Sequence, residues 1–163
     1  MRIFRGYSRP VAGPTALAIG NFDGVHLGHG ALLGRLGEVA RQYSLPPTIL
    51  SFEPHPREFF SPASAPARLT TFREKIELLG EVGVAQAMIC RFNGAFAALS
   101  AEQFVERVLV GGLRVQHVIV GDDFRFGKGR LGDFAMLQAA GRLHGFGVEA
   151  MGSVTVNGER VSS

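Results

Sequence analysis

The apolar run Leu17, Ala18, Ile19 halts at Gly20, and a few residues later the chain takes up helical periodicity. A strand that stops at a glycine turn and feeds a helix is the unit from which parallel α/β sheets are built. The turn and the first helical residues read Gly20, Asn21, Phe22, Asp23, Gly24, Val25, His26, Leu27, Gly28, His29. Unpaired backbone N–H groups and about half a positive charge gather at a helix start, so such a junction seats phosphate. His26 and His29, three positions apart, add donors on nearly one face, because three helical steps return to within about 60° of the starting direction. Gly28 between them leaves the backbone open to a phosphate oxygen, and the whole suits a triphosphate.

The same alternation continues along the chain. Strands are expected at Ala16 to Ile19, Thr48 to Phe52, Ala85 to Arg91, Val115 to Val120 and Phe146 to Met151. Between the first two, Leu32, Leu33, Leu36, Val39, Ala40 and Tyr43 follow the spacing of a buried helical stripe. Thr71 with Glu74, and Ser100 with Gln103, make capping boxes ahead of apolar runs, and Asp133 caps a helix running to about His144. The expected fold is α/β and Rossmann-like, a mainly parallel five-stranded sheet flanked by helices. Right-handed crossovers then place the loops after the strands along one edge, where open α/β sheets bind ligands. Glu53 to Leu69, rich in Pro, Ser and Ala, is expected to be a long functional loop.

A chain of 163 residues, 46% hydrophobic and 19% charged, fits one domain spanning 1–163. The formal charge of +3 comes from scattered Lys and Arg without a basic stripe, which argues against a nucleic-acid partner and suits phosphate-bearing substrates. Neither a signal peptide nor a membrane span is read, and a cytoplasmic location is expected. The lone Cys90, among Met88, Ile89 and Phe92, reads as a small core residue. His26 and His29 lack further His or Cys at zinc-site spacing, and no metal ligands are assigned. Gly127 to Gly132 matches Gly-x-Gly-x-x-Gly literally, but its first glycine lies seven residues past Val120 rather than at a strand end. Gly121 to Lys128 is one residue wrong for a Walker loop, and Gly129 stands where that loop needs Ser or Thr.

Five segments in order carry a resemblance: Gly20 to His29; Ser51-Phe52-Glu53-Pro54-His55-Pro56; Leu99 to Val105; Val120-Gly121-Asp122-Asp123-Phe124-Arg125-Phe126-Gly127; and Arg160-Val161-Ser162-Ser163. On these the chain resembles, over essentially its full length, the FMN adenylyltransferase (FAD synthetase) module of bacterial bifunctional riboflavin kinase/FAD synthetases, within the His-x-Gly-His nucleotidyltransferase superfamily. The resemblance implies AMP transfer from ATP to FMN, giving FAD and pyrophosphate, with Mg²⁺ accompanying ATP. It implies His26, His29 and Arg125 as catalytic residues. Gly20, Asn21, Phe22, Asp23, Gly24, Gly28, Gly121, Asp122, Ser162 and Ser163 are expected at ATP. Phe52, Pro54, His55, Pro56, Asp123 and Phe124 are expected at FMN, with Phe59 and Phe60 nearby.

In that family the Ser-Ser motif continues to an arginine facing the ATP phosphates. This sequence stops before it and lacks the carboxy-terminal riboflavin kinase domain expected in a full-length protein. Two alternatives stay open: a nucleotidyltransferase for another small phosphate acceptor, and a catalytically silent flavin- or nucleotide-binding module.

Overall fold

The computed structural model describes residues 1–22, 27–61, 63, 71–152, 154–156 and 159–161. Six strands, β1 (Arg2–Arg5), β2 (Thr15–Ile19), β3 (Pro47–Glu53), β4 (Gln86–Arg91), β5 (Val115–Gly121) and β6 (Gly147–Met151), form one parallel sheet in the order β1-β4-β3-β2-β5-β6. The sequence leads to five of these, each within a residue of the observed ends; the sixth, β1, is a correction. Arg2-Ile3-Phe4-Arg5 sits at the edge of the sheet, largely exposed, and carries no apolar alternation to read. Its order comes from pairing with β4 and from the Gly6 N–H bonded to the Ile89 carbonyl. A second small sheet, the antiparallel pair β7 (Val154–Val156) and β8 (Glu159–Val161), was also not anticipated.

Strand alternation sorts the core into two layers. Ala16 and Ala18 of β2 face α1 (Leu27–Tyr43), where Leu32, Leu33, Leu36, Val39 and Ala40 are buried as the stripe requires. Leu79 of α3 (Phe72–Glu81) joins the same layer. Leu17 and Ile19 face the other way, toward Phe104, Val105, Val108 and Leu109 and toward Leu137 of α6 (Phe134–His144). Each such fully buried side chain contributes about 1.5–3 kcal/mol of transfer free energy. Tyr43, read as the last member of the stripe, is 55% exposed, and its ring stacks on His117 at 6.1 Å. A phenol keeps its hydroxyl hydrated by lying on the surface, whereas an aliphatic side chain at that position gains by entering the core.

The helix starts read from local chemistry are present. Thr71 Oγ1 accepts from the Glu74 N–H at 3.2 Å while Glu74 Oε1 accepts from the Thr71 N–H at 3.1 Å. Ser100 and Gln103 make the same exchange at 3.1 and 3.0 Å, opening α5 (Ala101–Gln103), which runs on as a π-helix over Phe104–Gly112. Asp133 Oδ1 caps α6 through the Met136 N–H at 2.9 Å. Within the stretch expected to be loop, Pro56–Phe60 forms a short helix, α2, a further correction. Proline at the first helical position brings the required φ, but so short a helix has no periodicity to read.

The chain leaves β2 through α1 toward β3 and leaves β5 through α6 toward β6, so adjacent strands send their connections to opposite sides and opposite faces. The carboxyl ends of β2 and β5 therefore part at the crevice where open α/β sheets hold ligands.

Candidate active site

The loop leaving β2 is held from beneath. Gly20 N–H donates to the Leu50 carbonyl at 3.1 Å, and the buried Ser51 hydroxyl donates to the Asn21 carbonyl at 3.0 Å. Phe22 has φ 54, a conformation that costs a non-glycine residue about 1–2 kcal/mol, and its ring is fully buried in the α1 layer. The ring lies under Gly20: a Cβ there would stand 3.1 Å from Phe22 Cζ. Thus a side chain at the strand-end glycine would press on the Phe22 ring, and a buried aromatic anchors the turn against its own backbone strain. Asn21 Oδ1 is buried and accepts no hydrogen bond from the described residues, which leaves an acceptor open at the crevice. Helix α1 begins at Leu27, with Gly28 and His29 in its first turn. Asp23, Gly24 and His26 lie outside the described residues.

The loop leaving β5 makes a turn in which the Phe124 N–H donates to the Gly121 carbonyl at 3.1 Å, and the Asp122 N–H is tied to Met151 of β6 at 3.0 Å. Asp122, Asp123 and Arg125 are exposed, while Phe124 is half-buried and stacks on Phe126 at 5.6 Å and 16°. Ser162 and Ser163 lie outside the described residues.

β3 ends with Phe52 and Glu53, and the loop leaving it begins at Pro54, joined to Glu53 by a cis peptide. Pro54, His55 and Pro56 are half-buried, and α2 starts at Pro56. The Phe92 N–H returns to the Glu53 carbonyl at 3.2 Å, and Glu53 Oε2 lies 3.7 Å from the ammonium of the buried Lys75. Phe52 meets Phe92 and Phe96 edge-on at 5.9 and 5.5 Å, and Phe59 and Phe60 meet Phe92 at 5.6 and 5.5 Å. Phe96 belongs to α4 (Gly94–Ala97), touches Phe104 at 6.3 Å, and Phe104 touches Phe126 at 5.4 Å. One chain of rings therefore runs from the loop after β3 to the loop after β5, linking Phe52 to Phe124.

Sequence reasoning had both ends of this wall and missed its middle, Phe92, Phe96 and Phe104. The available signal was composition: 13 phenylalanines and no tryptophan in 163 residues. Phe52 lies at the end of β3, and Phe59, Phe60, Phe92, Phe96, Phe124 and Phe126 all follow strand ends. An apolar, aromatic wall with a few polar groups at its rim is what a planar ligand requires.

Charge chemistry away from this edge is structural. The Arg35 guanidinium, bonded to both Glu149 oxygens at 3.0 and 2.9 Å, holds that carboxyl below its usual range. Burial pushes the Cys90 thiol up to about 12, so it is protonated at neutral pH and is no nucleophile. An unfolded thiol ionises near 9. Between those values the unfolded state has lost a proton that the folded state keeps, and stability falls as pH rises. We expect the wild-type chain to lose up to about 1.4 kcal/mol per pH unit through that window relative to Cys90→Ala. Parallel pH dependences of the two unfolding free energies would place Cys90 in contact with water.

No described helix is long and apolar enough to cross a membrane. Among the described residues no three His, Cys, Asp or Glu side chains converge as a metal cage.

The FAD synthetase family model matches residues 8–163. The chain is 50% identical to the bifunctional riboflavin kinase/FMN adenylyltransferase of Pseudomonas fluorescens and 47% identical to that of Escherichia coli K12, in both cases over 100% of this chain and 53% of the relative. It thus spans about half the length of the curated relatives it matches. Among solved structures, one titled a macrolide-efflux protein from Streptococcus pneumoniae superposes with TM-score 0.84 at 20% identity, over 100% of this chain and 54% of that one. Pantothenate synthetase from Thermus thermophilus superposes with TM-score 0.54 at 18% identity, over 99% and 66%. At those identities the two structures speak for the fold alone.

Proposed function

The chain belongs to the FAD synthetase family, and from that premise we propose that it transfers AMP from ATP to FMN, forming FAD and pyrophosphate. The observation that carries this reading is the common edge: a strand-to-helix junction after β2, of the kind that suits phosphate, and a phenylalanine wall running from Phe52 to Phe124.

In this mechanism an FMN phosphate oxygen attacks the α-phosphorus of ATP. The new P–O bond forms as the bond to the β-phosphate oxygen breaks, and the electron pair departs on pyrophosphate. A phosphomonoester has its second pKa near about 6, so the nucleophile is already dianionic at neutral pH and needs no protein base. What the chain supplies is alignment and charge neutralisation. His26 and His29, with the N–H groups at the start of α1, meet the phosphates that become pyrophosphate, and Arg125 reaches the phosphates from the opposite loop. Gly20, Asn21, Phe22, Asp23, Gly24 and Gly28, with Gly121 and Asp122, border the nucleotide, and Ser162 and Ser163 approach its phosphates. The flavin rests on Phe52, Pro54, His55 and Pro56, with Asp123 and Phe124 at its other side.

Mg²⁺ arriving with ATP supplies further neutralisation of the triphosphate. The turn at Asp122 and Asp123 fits that demand, since Mg²⁺ keeps several waters and takes one or two carboxylates besides substrate phosphates. In a longer protein, as in the bifunctional relatives, a riboflavin kinase part would supply the FMN.

The test is formation of FAD and pyrophosphate from FMN and MgATP, with nicotinamide mononucleotide and phosphocholine offered as rival acceptors. Product from FMN alone is expected. Product from a rival acceptor and none from FMN would reassign the substrate. Flavin binding without pyrophosphate release would make the domain a flavin-holding module.

A further inference from the structure

We infer that Gly132 is a positioning residue for the flavin: its missing side chain seats the Phe126 ring, which in turn sets the face that Phe124 presents. This rests on the proposed placement of flavin against Phe124.

The second glycine-rich motif, Gly127 to Gly132, is not a nucleotide loop, and its geometry shows another use. Phe126 and Gly132 exchange both backbone hydrogen bonds, at 3.1 and 2.8 Å, and close the segment into a small clip. The clip is fastened to the start of α5, where the Lys128 N–H donates to the Leu99 carbonyl at 2.7 Å. Gly127, at φ 78, approaches so closely that a Cβ would lie 2.7 Å from the Ala101 nitrogen. The clip is thereby fixed to the body of the domain at its Gly127–Lys128 end, and its Gly132 end is held to Phe126 by the two backbone bonds.

Across it, a Cβ on Gly132 would stand 2.6 Å from Cδ2 and Cε2 and 2.7 Å from Cζ of Phe126. Carbon atoms do not approach so closely, so something must shift, and retreat of the backbone would break the two hydrogen bonds that close the clip, whereas the Phe126 ring turns about its side-chain bonds. On one side it meets Phe104, 2% exposed and braced by Phe96. It also stacks on the half-buried Phe124, whose ring is nearly parallel to it. A close-packed interior does not yield, and the displacement passes to the neighbour with room to move, which is Phe124.

The chain has no tryptophan, so Phe124→Trp provides a single fluorophore at this position. In that background Gly132→Ala should shift the indole emission maximum with the far-ultraviolet circular dichroism unchanged. Adding Phe126→Leu, which removes the atoms in conflict, should return it. In the native background Gly132→Ala should raise the Kd for FMN by about two- to tenfold, the worth of one aromatic contact, and leave that for ATP unchanged.

Unchanged indole emission in a folded Gly132→Ala protein would overturn the inference, and so would a shift that Phe126→Leu fails to reverse. If Gly132→Ala does not fold in the Phe124→Trp background, adding Phe126→Leu makes the test: the double variant should regain the far-ultraviolet circular dichroism of the folded protein, and its failure to do so overturns the inference. An emission shift in a protein that binds no FMN, wild type included, would uphold the seating of Phe124 and refute the flavin assignment.

Discussion

His29→Ala should lower turnover in FAD synthesis by a factor of about 10² to 10³ while the Kd for FMN stays within about twofold. His29 belongs to the first turn of α1, the helix that begins where the strand-end loop stops. Backbone N–H groups there are fixed in direction before substrate arrives, and the proposed role of His29 is to add an imidazole donor to that set. Charge grows on the leaving pyrophosphate only as the bond to the α-phosphorus breaks. A donor aimed at that oxygen is therefore worth more in the transition state than in the ATP complex, and its loss falls on kcat more than on KM. On the proposed placement of FMN against the aromatic wall of other loops, its affinity should not register the change. Steady-state rates with FMN and MgATP, beside flavin fluorescence titrations, separate the two effects. Wild-type turnover in the variant would remove His29 from the chemistry, and a parallel loss of flavin binding would recast it as a structural residue.

Phe22→Ala should cost about 3–5 kcal/mol of folding stability, the range for deleting a fully buried aromatic ring. In a domain of this size that corresponds to a fall in Tm of about 6–20 °C. The unusual backbone of Phe22, at φ 54, is equally unfavourable for alanine, so the substitution removes the burial and keeps the strain. The ring is also the floor of Gly20, packed under the point where β2 ends. Its loss opens a cavity below the proposed phosphate seat, and ATP affinity should drop with stability while flavin binding is spared. Differential scanning calorimetry measures the first effect and nucleotide titration the second. A Tm within about 2 °C of wild type would show that the ring contributes far less than its burial implies.

Much of the architecture was legible because it is written in local chemistry. Strand ends at Ile19, Val120 and Met151 follow from runs bounded by turn residues, and the starts of α3, α5 and α6 follow from capping side chains that satisfy backbone donors three residues away. The shared edge of the loops came with handed crossovers, whereas the strand order, with its switch point between β2 and β5, came from the structure. Family resemblance then supplied roles for His26, His29 and Arg125 that no periodicity contains.

What the sequence by itself determined was thus the parallel α/β class, the two-faced burial of its strands, the helix starts, and the loops that share one edge. Those depend on periods of two and 3.6 residues and on hydrogen bonds between near neighbours. Only the tertiary structure decided that Arg2–Arg5 is a strand, because an exposed edge is ordered by its partner β4 and not by its own pattern. Only it joined Phe52 to Phe124 through Phe92, Phe96, Phe104 and Phe126, rings brought from four separate segments into edge and stacked contact. Only it showed the ring that crowds the Cβ position of Gly132 and the ring packed close under Gly20. Close packing joins atoms by where the folded backbone puts them, and separation along the chain carries no record of that distance.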